Sequence, residues 1–338
     1  IDLISVSPCS KMTTTIGGFA RSIFLGFFIS HIPATILLDG QASPLSIPYP
    51  QFLSDFLAWY SKTLNDPLFL GGKYELWFQS FIGAELVIQL PYFFLATYML
   101  SSETYRSLPF PEWFRIFSIV YVAQVVTSMI PILATIILNP MATLSQRGIL
   151  SSIYMPYLIV PMSLLLYVME PSKSKVPVLH GTTKVAMLVF FVSHIPITIF
   201  LDSQALGSKF HPESMVSLIE WYAVSMNDDL MKAPSPLWFQ CLVLSECCVQ
   251  LPYFFFAVSQ LLREDNYSPW FPSLSILYGS HVLTTLIPIL TDVWFNHSIT
   301  VASRFYLSCV YAPYVIFPAW IAFWGASVLL RNEKCKDN

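Results

Sequence analysis

The chain has 338 residues, of which 55% are hydrophobic and only 11% are charged, and its net charge is −3. An ordinary soluble domain carries about 25% charged residues, so this chain has too few charges to cover a water-soluble globule of its size. The composition excludes a disordered chain, a coiled coil and a small disulfide scaffold. The absence of a basic excess argues against nucleic-acid binding. The sequence therefore indicates an integral membrane protein.

Eight apolar stretches are long enough to cross a bilayer as helices, which takes about 20 residues each. They lie at roughly 17–38, 77–101, 113–138, 149–169, 184–202, 238–262, 270–294 and 304–330. After the first stretch, the segment from Phe52 to Tyr60 is amphipathic, which is typical of a helix at the membrane interface. The alternating pattern of a transmembrane barrel is absent. The predicted fold is an all-α integral membrane protein with eight transmembrane helices.

The chain is a tandem repeat. Residues 30–42 recur as residues 193–205, with ten of the 13 positions identical. Further motifs recur in the same order: Trp59-Tyr60 as Trp221-Tyr222, Gln89-Leu90-Pro91 as Gln250-Leu251-Pro252, Ile130-Pro131-Ile132-Leu133 as Ile287-Pro288-Ile289-Leu290, and Tyr154-Met155-Pro156-Tyr157 as Tyr311-Ala312-Pro313-Tyr314. Each unit has four helices, so we predict two parallel four-helix repeats rather than the inverted repeats of many transporters.

The linker between the units carries charge and proline, and it sets the predicted domain boundaries. These are an N-terminal tail at 1–16, a first unit at 17–169, a linker at 170–183, a second unit at 184–330 and a cytoplasmic tail at 331–338. Eleven of the 17 Lys and Arg residues lie in the termini and in the loops on the same side. Because basic loops stay in the cytoplasm, both termini are predicted to be cytoplasmic.

One glutamate lies in the middle of a predicted span in each unit, at Glu85 and Glu246. An ionisable side chain there costs about 2.5–3.5 kcal/mol on insertion scales, which makes each a candidate functional group. Gln89 and Gln250 follow four positions later, on the same helical face. A proline two residues after each glutamine loosens the backbone hydrogen bonding nearby. Two interpretations remain open, namely the wall of a pocket and a neutral glutamate that holds helices together.

An aspartate closes the first span of each unit, at Asp39 and Asp202. His31 and His194 lie eight residues earlier, a little over two turns away, so each shares roughly one helical face with its aspartate. A solvated residue at the end of a helix is the alternative interpretation.

A second aspartate, Asp66 or Asp228, follows in the long first loop of each unit. A plain turn role is an equal alternative for Asp66, because Pro67 comes directly after it. Each unit thus offers two aspartates and a glutamate among many aromatic residues. An apolar cavity with carboxyl groups at one end would suit a sterol-like ligand or an amphiphile with a cationic amine.

The sequence offers little for catalysis. It has no metal-ligand motif, no nucleophile elbow and no glycine-rich loop, and glycine totals only 12 residues. A histidine near carboxylates can in principle shift a double bond by general acid–base chemistry. No cofactor and no catalytic residue is predicted.

These repeated motifs resemble the sigma-2 receptor branch of the EXPERA family, which also contains the emopamil-binding sterol isomerase and the transmembrane-six-superfamily proteins. The resemblance spans both units, and several dispersed motifs occur in order, twice. The tandem arrangement is more similar to the transmembrane-six-superfamily proteins, while the motifs are more similar to the sigma-2 receptor branch.

The resemblance implies a multi-pass protein of the endoplasmic reticulum membrane that binds sterols and cationic amphiphiles and acts in cholesterol homeostasis. It also implies roles for named residues. The ligand's amine would pair with Asp39 or Asp202, supported by Asp66 or Asp228 and by the mid-span Glu85 or Glu246. The pocket tyrosine of the family matches Tyr157 and Tyr314, and its pocket threonine matches Ser128 and Thr285. His31, Gln89, His194 and Gln250 are assigned supporting roles.

The sequence also departs from the family pattern. The isomerase carries a glutamate four residues after its histidine, whereas Thr35 and Thr198 stand at that spacing here. This removes a catalytic carboxylate and argues against an enzyme. Gln124 of the first unit stands where the second has His281, so the two pockets need not be equivalent.

The hypothesis that follows is a non-enzymatic binder of sterols, other lipids and cationic amphiphilic small molecules. The alternatives are an adaptor in lipid or lipoprotein trafficking, with a cholesterol-transport protein as a possible partner, and a sterol double-bond isomerase. Sigma-2 receptors are homodimeric, so we expect the two units of this chain to pack as a fused pseudo-dimer.

Overall fold

The computed structural model describes residues 16–45 and 47–334. Most of the predicted N-terminal tail at 1–16 and the last four residues of the predicted tail at 331–338 lie outside the described residues. Within the described part, eight helical segments are long and apolar enough to cross a membrane. The predicted all-α fold of eight transmembrane helices is confirmed.

The first unit is built of seven helices, two of which join into one span. They are α1 (Gly18–Leu37), α2 (Gln51–Leu64), α3 (Leu76–Ala84), α4 (Leu90–Ser101), α5 (Thr104–Ser107), α6 (Glu112–Ile137) and α7 (Leu144–Val168). A short 3-10 turn at Asp39–Ala42 follows α1. The amphipathic segment predicted from Phe52 to Tyr60 lies within α2.

The second unit repeats this order with two minor differences. Its helices are α8 (Gly181–Phe200), α9 (Glu213–Met226), α10 (Leu237–Ser245), α11 (Leu251–Leu261), α12 (Phe271–Phe295) and α13 (Val301–Lys334). A 3-10 turn at Asp202–Leu206 follows α8, and no counterpart of the short α5 is found among the described residues. The last helix continues four residues past the predicted end of the second unit at 330.

A π-helical turn lies in the middle of the second span of each unit. It covers Glu85–Gln89 between α3 and α4, and Glu246–Gln250 between α10 and α11. The residue before Pro91 donates its N–H to the carbonyl of Glu85, five positions back. Proline has no N–H to continue the ordinary ladder, so the helix widens by one residue just before it. Each π turn begins with the glutamate, so the carboxyl group lies in the middle of the span.

The two units pack against each other along α6 and α12, the two most buried spans. In addition, α3 contacts α12 and α10 contacts α6, as expected for two similar units related by a pseudo-two-fold axis. Trp77 and Trp238 stack across this contact, with ring centroids 6.3 Å apart. Thr127 Oγ1 lies 2.6 Å from His281 Nδ1, which makes a buried hydrogen bond between the units. This arrangement agrees with the expected pseudo-dimer.

The linker is bound to the second unit by backbone hydrogen bonds. Its strand β1 (Val176–Pro177) pairs antiparallel with β2 (Asn266–Tyr267). The backbone N–H of Ser172 donates to the carbonyl of Pro269 at 2.7 Å. These contacts order a segment that the sequence marks only as charged and proline-rich.

Candidate ligand-binding cavities

The first unit encloses a cavity of about 200 Å³ between α1, α2, α3, α6 and α7. Its wall is largely aromatic and aliphatic, with a group of polar side chains at one end. The polar and ionisable lining residues are His31, Asp39, Tyr60, Glu85, Gln89, Ser128, Tyr154 and Tyr157. The cavity therefore has the apolar wall and the acidic residues that the sequence predicts.

Three elements bring the acidic end of the first cavity together. Asp39 begins the 3-10 turn after α1, and Glu85 begins the π turn after α3. Thr35 Oγ1, one turn before Asp39, donates to Glu85 Oε1 at 2.6 Å. His31 Nε2 lies 3.5 Å from the same carboxylate oxygen. Helix α1 thus supplies the glutamate with one hydrogen-bond donor and places an imidazole beside it.

His31, Asp39 and Glu85 each offer a ligand atom, and these atoms lie within 4.8 Å of one another. Imidazole and carboxylate oxygens suit several divalent metals, so this group has the donor set for a three-ligand site. No sequence motif predicts this group of three residues, because Asp39 and Glu85 come from separate helical segments 46 positions apart. Among the residues that the structure describes, the second unit forms no equivalent group.

Asp66 lies behind the wall of the first cavity rather than in it. Its side chain is fully buried and accepts hydrogen bonds from the backbone N–H of Leu68 and from Tyr154 Oη, both at 2.9 Å. Burial raises the pKa of Asp66 above its ordinary value, and the hydrogen bonds from Leu68 and Tyr154 oppose that shift in part. Asp66 thus anchors the loop after α2 and positions a tyrosine that does line the cavity.

The second unit encloses a larger cavity, of about 360 Å³. The equivalent elements form it, namely α8, α9, α10, α12 and α13. Its polar, ionisable or indole-bearing lining residues are Asp202, Trp221, Tyr222, Glu246, Gln250, Thr285, Tyr311 and Tyr314. Gln250 also reaches His281, with the two nitrogens 3.3 Å apart.

The acidic end of the second cavity is arranged differently. Thr198 Oγ1 donates to Glu246 Oε1 at 2.6 Å, as Thr35 does in the first unit. Asp202 and Glu246 both line this cavity, as Asp39 and Glu85 line the first. His194 does not line this cavity. Its Nδ1 lies 2.6 Å from the carbonyl oxygen of Phe190, while its buried Nε2 has no partner.

Asp228 repeats the role of Asp66 in the second unit. It is 1% exposed and accepts from the backbone N–H of Leu230 at 3.1 Å and from Tyr222 Oη at 3.1 Å. Burial raises its pKa above the ordinary value, against the effect of these hydrogen bonds. Neither of these loop aspartates is in contact with its cavity.

The predicted site residues thus fall into two sets. The structure brings most of them to the cavity walls, namely Asp39, Glu85, Ser128, Tyr157, His31, Gln89, Asp202, Glu246, Thr285, Tyr314 and Gln250. It places Asp66, Asp228 and His194 outside the walls. The roles of all these residues in binding remain predictions.

Two further pairs of residues belong to the site, although the sequence pattern assigns them no role in it. Thr35 and Thr198 mark only the absence of a catalytic glutamate in the sequence, yet each holds the mid-span glutamate of its unit. Tyr154 and Tyr311 line the cavities and reach Asp66 and Asp228. A signal for them does exist in the sequence, since all four recur in the repeat.

Comparison with known proteins gives two kinds of match. The family model for EXPERA, the EXPanded EBP superfamily, matches residues 52–168 and 214–324. The human protein "Sigma intracellular receptor 2" is 35% identical over 155 residues, 43% of this chain and 84% of its own length. Its Xenopus tropicalis counterpart is 39% identical over 152 residues, with the same coverage.

A yeast protein is also similar to this chain. "Efficient mitochondria targeting-associated protein 19" of Saccharomyces cerevisiae is 28% identical over 150 residues, 40% of this chain and 92% of its own length. Each of these relatives therefore matches a stretch close to one unit in length. The two segments of the family match lie in different units, so the family pattern occurs twice in the chain.

Proposed function

This chain belongs to the EXPERA family and resembles its sigma-2 receptor members, and on that premise we propose that it binds sterols and cationic amphiphiles in its two intramembrane cavities. One observation carries the proposal. In each unit an aspartate and a glutamate lie together at one end of an apolar cavity between membrane-spanning helices. An amphiphile matches such a cavity, because its apolar body fits the apolar wall and its polar or cationic head fits the carboxyl groups.

The physical basis is the cost of burying carboxyl groups. An isolated charge in an apolar environment is strongly disfavoured unless it is paired or hydrogen-bonded. Asp39 and Glu85 line one cavity and Asp202 and Glu246 the other, and within the described residues no Lys or Arg forms an ion pair with any of them. A ligand ammonium placed beside such a pair supplies the opposite charge, while the aromatic walls bury its apolar body.

The cellular setting is part of the same proposal. We place the chain in the endoplasmic reticulum membrane with both termini in the cytoplasm, acting in cholesterol and lipid homeostasis, with a cholesterol-transport protein as a partner. The excess of Lys and Arg on the terminal side supports the orientation. The name of the vertebrate relatives, intracellular receptors, supports an internal membrane.

The test is a binding measurement on purified protein with a radiolabelled tertiary-amine amphiphile. The double variant Asp39→Asn, Asp202→Asn keeps the shape of both sites and removes one acid from each. We expect binding to fall below detection, since a buried charge pair loses about 2–5 kcal/mol when one partner is removed. The control is Asp55→Asn in the exposed face of α2. Undiminished affinity in the double variant would refute the proposed site.

A second candidate function, sterol double-bond isomerisation, is favoured by the contact between His31 and Glu85. The isomerase-type glutamate is missing from α1, but the fold brings a different carboxyl to the same histidine. Such a pair can donate a proton to one carbon and accept one from another. Incubation of purified protein with a sterol substrate, followed by mass spectrometry, tests this. Conversion that is lost in Glu85→Gln would establish it, and no conversion would exclude it.

A further inference from the structure

The two cavities differ in size, although the same elements build them. The second is about 360 Å³ and the first about 200 Å³. The second cavity therefore leaves more space for the body of a bound molecule. Part of the difference lies in the histidine of the first helix, which lines the first cavity and not the second.

The histidine also changes the chemistry of the acidic end. In the first unit His31 Nε2 lies 3.5 Å from Glu85 Oε1, so the glutamate has an imidazole beside it in addition to the hydrogen bond from Thr35. In the second unit His194 Nδ1 is turned back to the carbonyl of Phe190 in its own helix. The buried Nε2 of His194 has no partner, and within the described residues this histidine forms no ion pair with either acid of its unit.

The two acids of the second unit therefore have no imidazole beside them. Glu246 accepts a hydrogen bond from Thr198 and lines the cavity together with Asp202. Within the described residues no Lys or Arg forms an ion pair with either acid, and no histidine takes the place that His31 has in the first unit. A pair of buried acids in this state gains more from an incoming cation than a pair that already has an imidazole beside it.

We propose that the cavity of the second unit is the one that accepts a cationic amphiphile, with its ammonium group against Asp202 and Glu246, while the first cavity takes an uncharged lipid. This inference rests on the proposed function and adds a division of ligands between the units. The tandem duplication thus supplies one site for each class of ligand.

The experiment compares two probes on the full chain. One is a radiolabelled amphiphile with a tertiary amine, and the other is its neutral analogue with carbon in place of nitrogen. We expect Asp202→Asn to weaken binding of the amine about 30-fold or more, the loss of one partner of a buried charge pair. The equivalent variant Asp39→Asn is expected to weaken it by about threefold at most, because the amine is not bound in the first cavity.

Retained binding of the neutral analogue by Asp202→Asn reports that the variant is folded. Asp229→Asn, a loop acid paired with Lys232, controls for a general change of charge. A larger loss of amine binding in Asp39→Asn than in Asp202→Asn would overturn the inference and leave the proposed function intact. Binding of neither probe to the unmodified chain would instead refute the proposed function itself.

Discussion

Threonine and tyrosine hydroxyls hold the buried acids of each unit. Thr35 and Thr198 donate to the mid-span glutamates, each at 2.6 Å. Tyr154 donates to Asp66 at 2.9 Å. A buried acceptor that loses its donor costs about 1–3 kcal/mol, so these hydroxyls fix the direction in which each carboxyl points. The mid-span glutamates thus depend on two threonines that do not themselves line the cavities.

The loop aspartates predict a pH dependence of stability. Burial raises the pKa of Asp66 above its ordinary value of 3.8. A carboxyl with a higher pKa in the folded state stabilises the fold below its unfolded pKa and loses that contribution as pH rises through its folded pKa. We expect the melting temperature of the unmodified protein to fall relative to that of Asp66→Asn as the pH rises above about 4.

Asp229 supplies a control of opposite sign for this measurement. The hydrogen bond from Lys232 lowers the pKa of Asp229, so its contribution is present at neutral pH and is lost as pH falls. Thermal unfolding of the two variants in detergent should therefore diverge in opposite directions from the unmodified protein. A melting temperature that rises with pH relative to Asp66→Asn would contradict the account of Asp66.

Repetition makes much of the site predictable from the sequence. An ionisable residue that recurs in the middle of a span is expensive, so the sequence alone is enough to mark Glu85 and Glu246 as candidates. The direction of the histidines is not predictable in this way, because His31 and His194 stand in identical Ser-His-Ile-Pro motifs. Their ring nitrogens nevertheless have different neighbours, Glu85 for His31 and the carbonyl of Phe190 for His194, and the pattern along one helix contains no sign of this.

Prolines and glycines shape the helices that carry the site. Pro91 and Pro252 each follow a π turn, and that turn presents the glutamate. Gly279 and Gly325 allow α12 and α13 to approach closely, because a Cβ at either would meet a carbonyl oxygen of the facing helix. The positions of the spans follow from hydrophobicity alone, whereas the π turns and the close helix contact depend on backbone geometry.

The close contact between α12 and α13 yields a stability prediction. A Cβ at Gly279 would overlap the carbonyl oxygen of Pro318 and lie 2.7 Å from Ala322 Cβ. We expect Gly279→Ala to destabilise the protein by about 1–3 kcal/mol, the usual cost of overpacking. The matched control is Gly148→Ala in α7, where nothing lies within 4 Å. Equal melting temperatures for the two variants would contradict the close packing.

At the scale of the whole molecule, the two units form one body with a shared centre. α6 and α12 lie between the two cavities, and buried polar contacts cross from one to the other. The family model matches within each predicted unit but leaves out its first helix. The sequence predicts the duplication and the fused pseudo-dimer, but the contacting faces cannot be read from it because α6 is apolar nearly all round.

The contact between units can be tested by cross-linking. Trp77 and Trp238 stack with ring centroids 6.3 Å apart. The double variant Trp77→Cys, Trp238→Cys should cross-link within one chain with a short thiol reagent, and the shift should appear on denaturing gels of the monomer. Each single variant controls for the native cysteines. Cross-links that form only between chains would refute the fused pseudo-dimer.

The central claim is that amphiphilic lipids occupy the cavities inside the units, and filling those cavities tests it most directly. Ala34 and Ile197 are equivalent wall residues of the first and second cavity. Native mass spectrometry of purified protein would count bound lipid for Ala34→Trp, for Ile197→Trp and for both together. We predict that each single variant loses the lipid of its own unit and that the double variant, folded by its melting temperature, carries none. Bound sterol or amine at unchanged levels in the double variant would contradict the account.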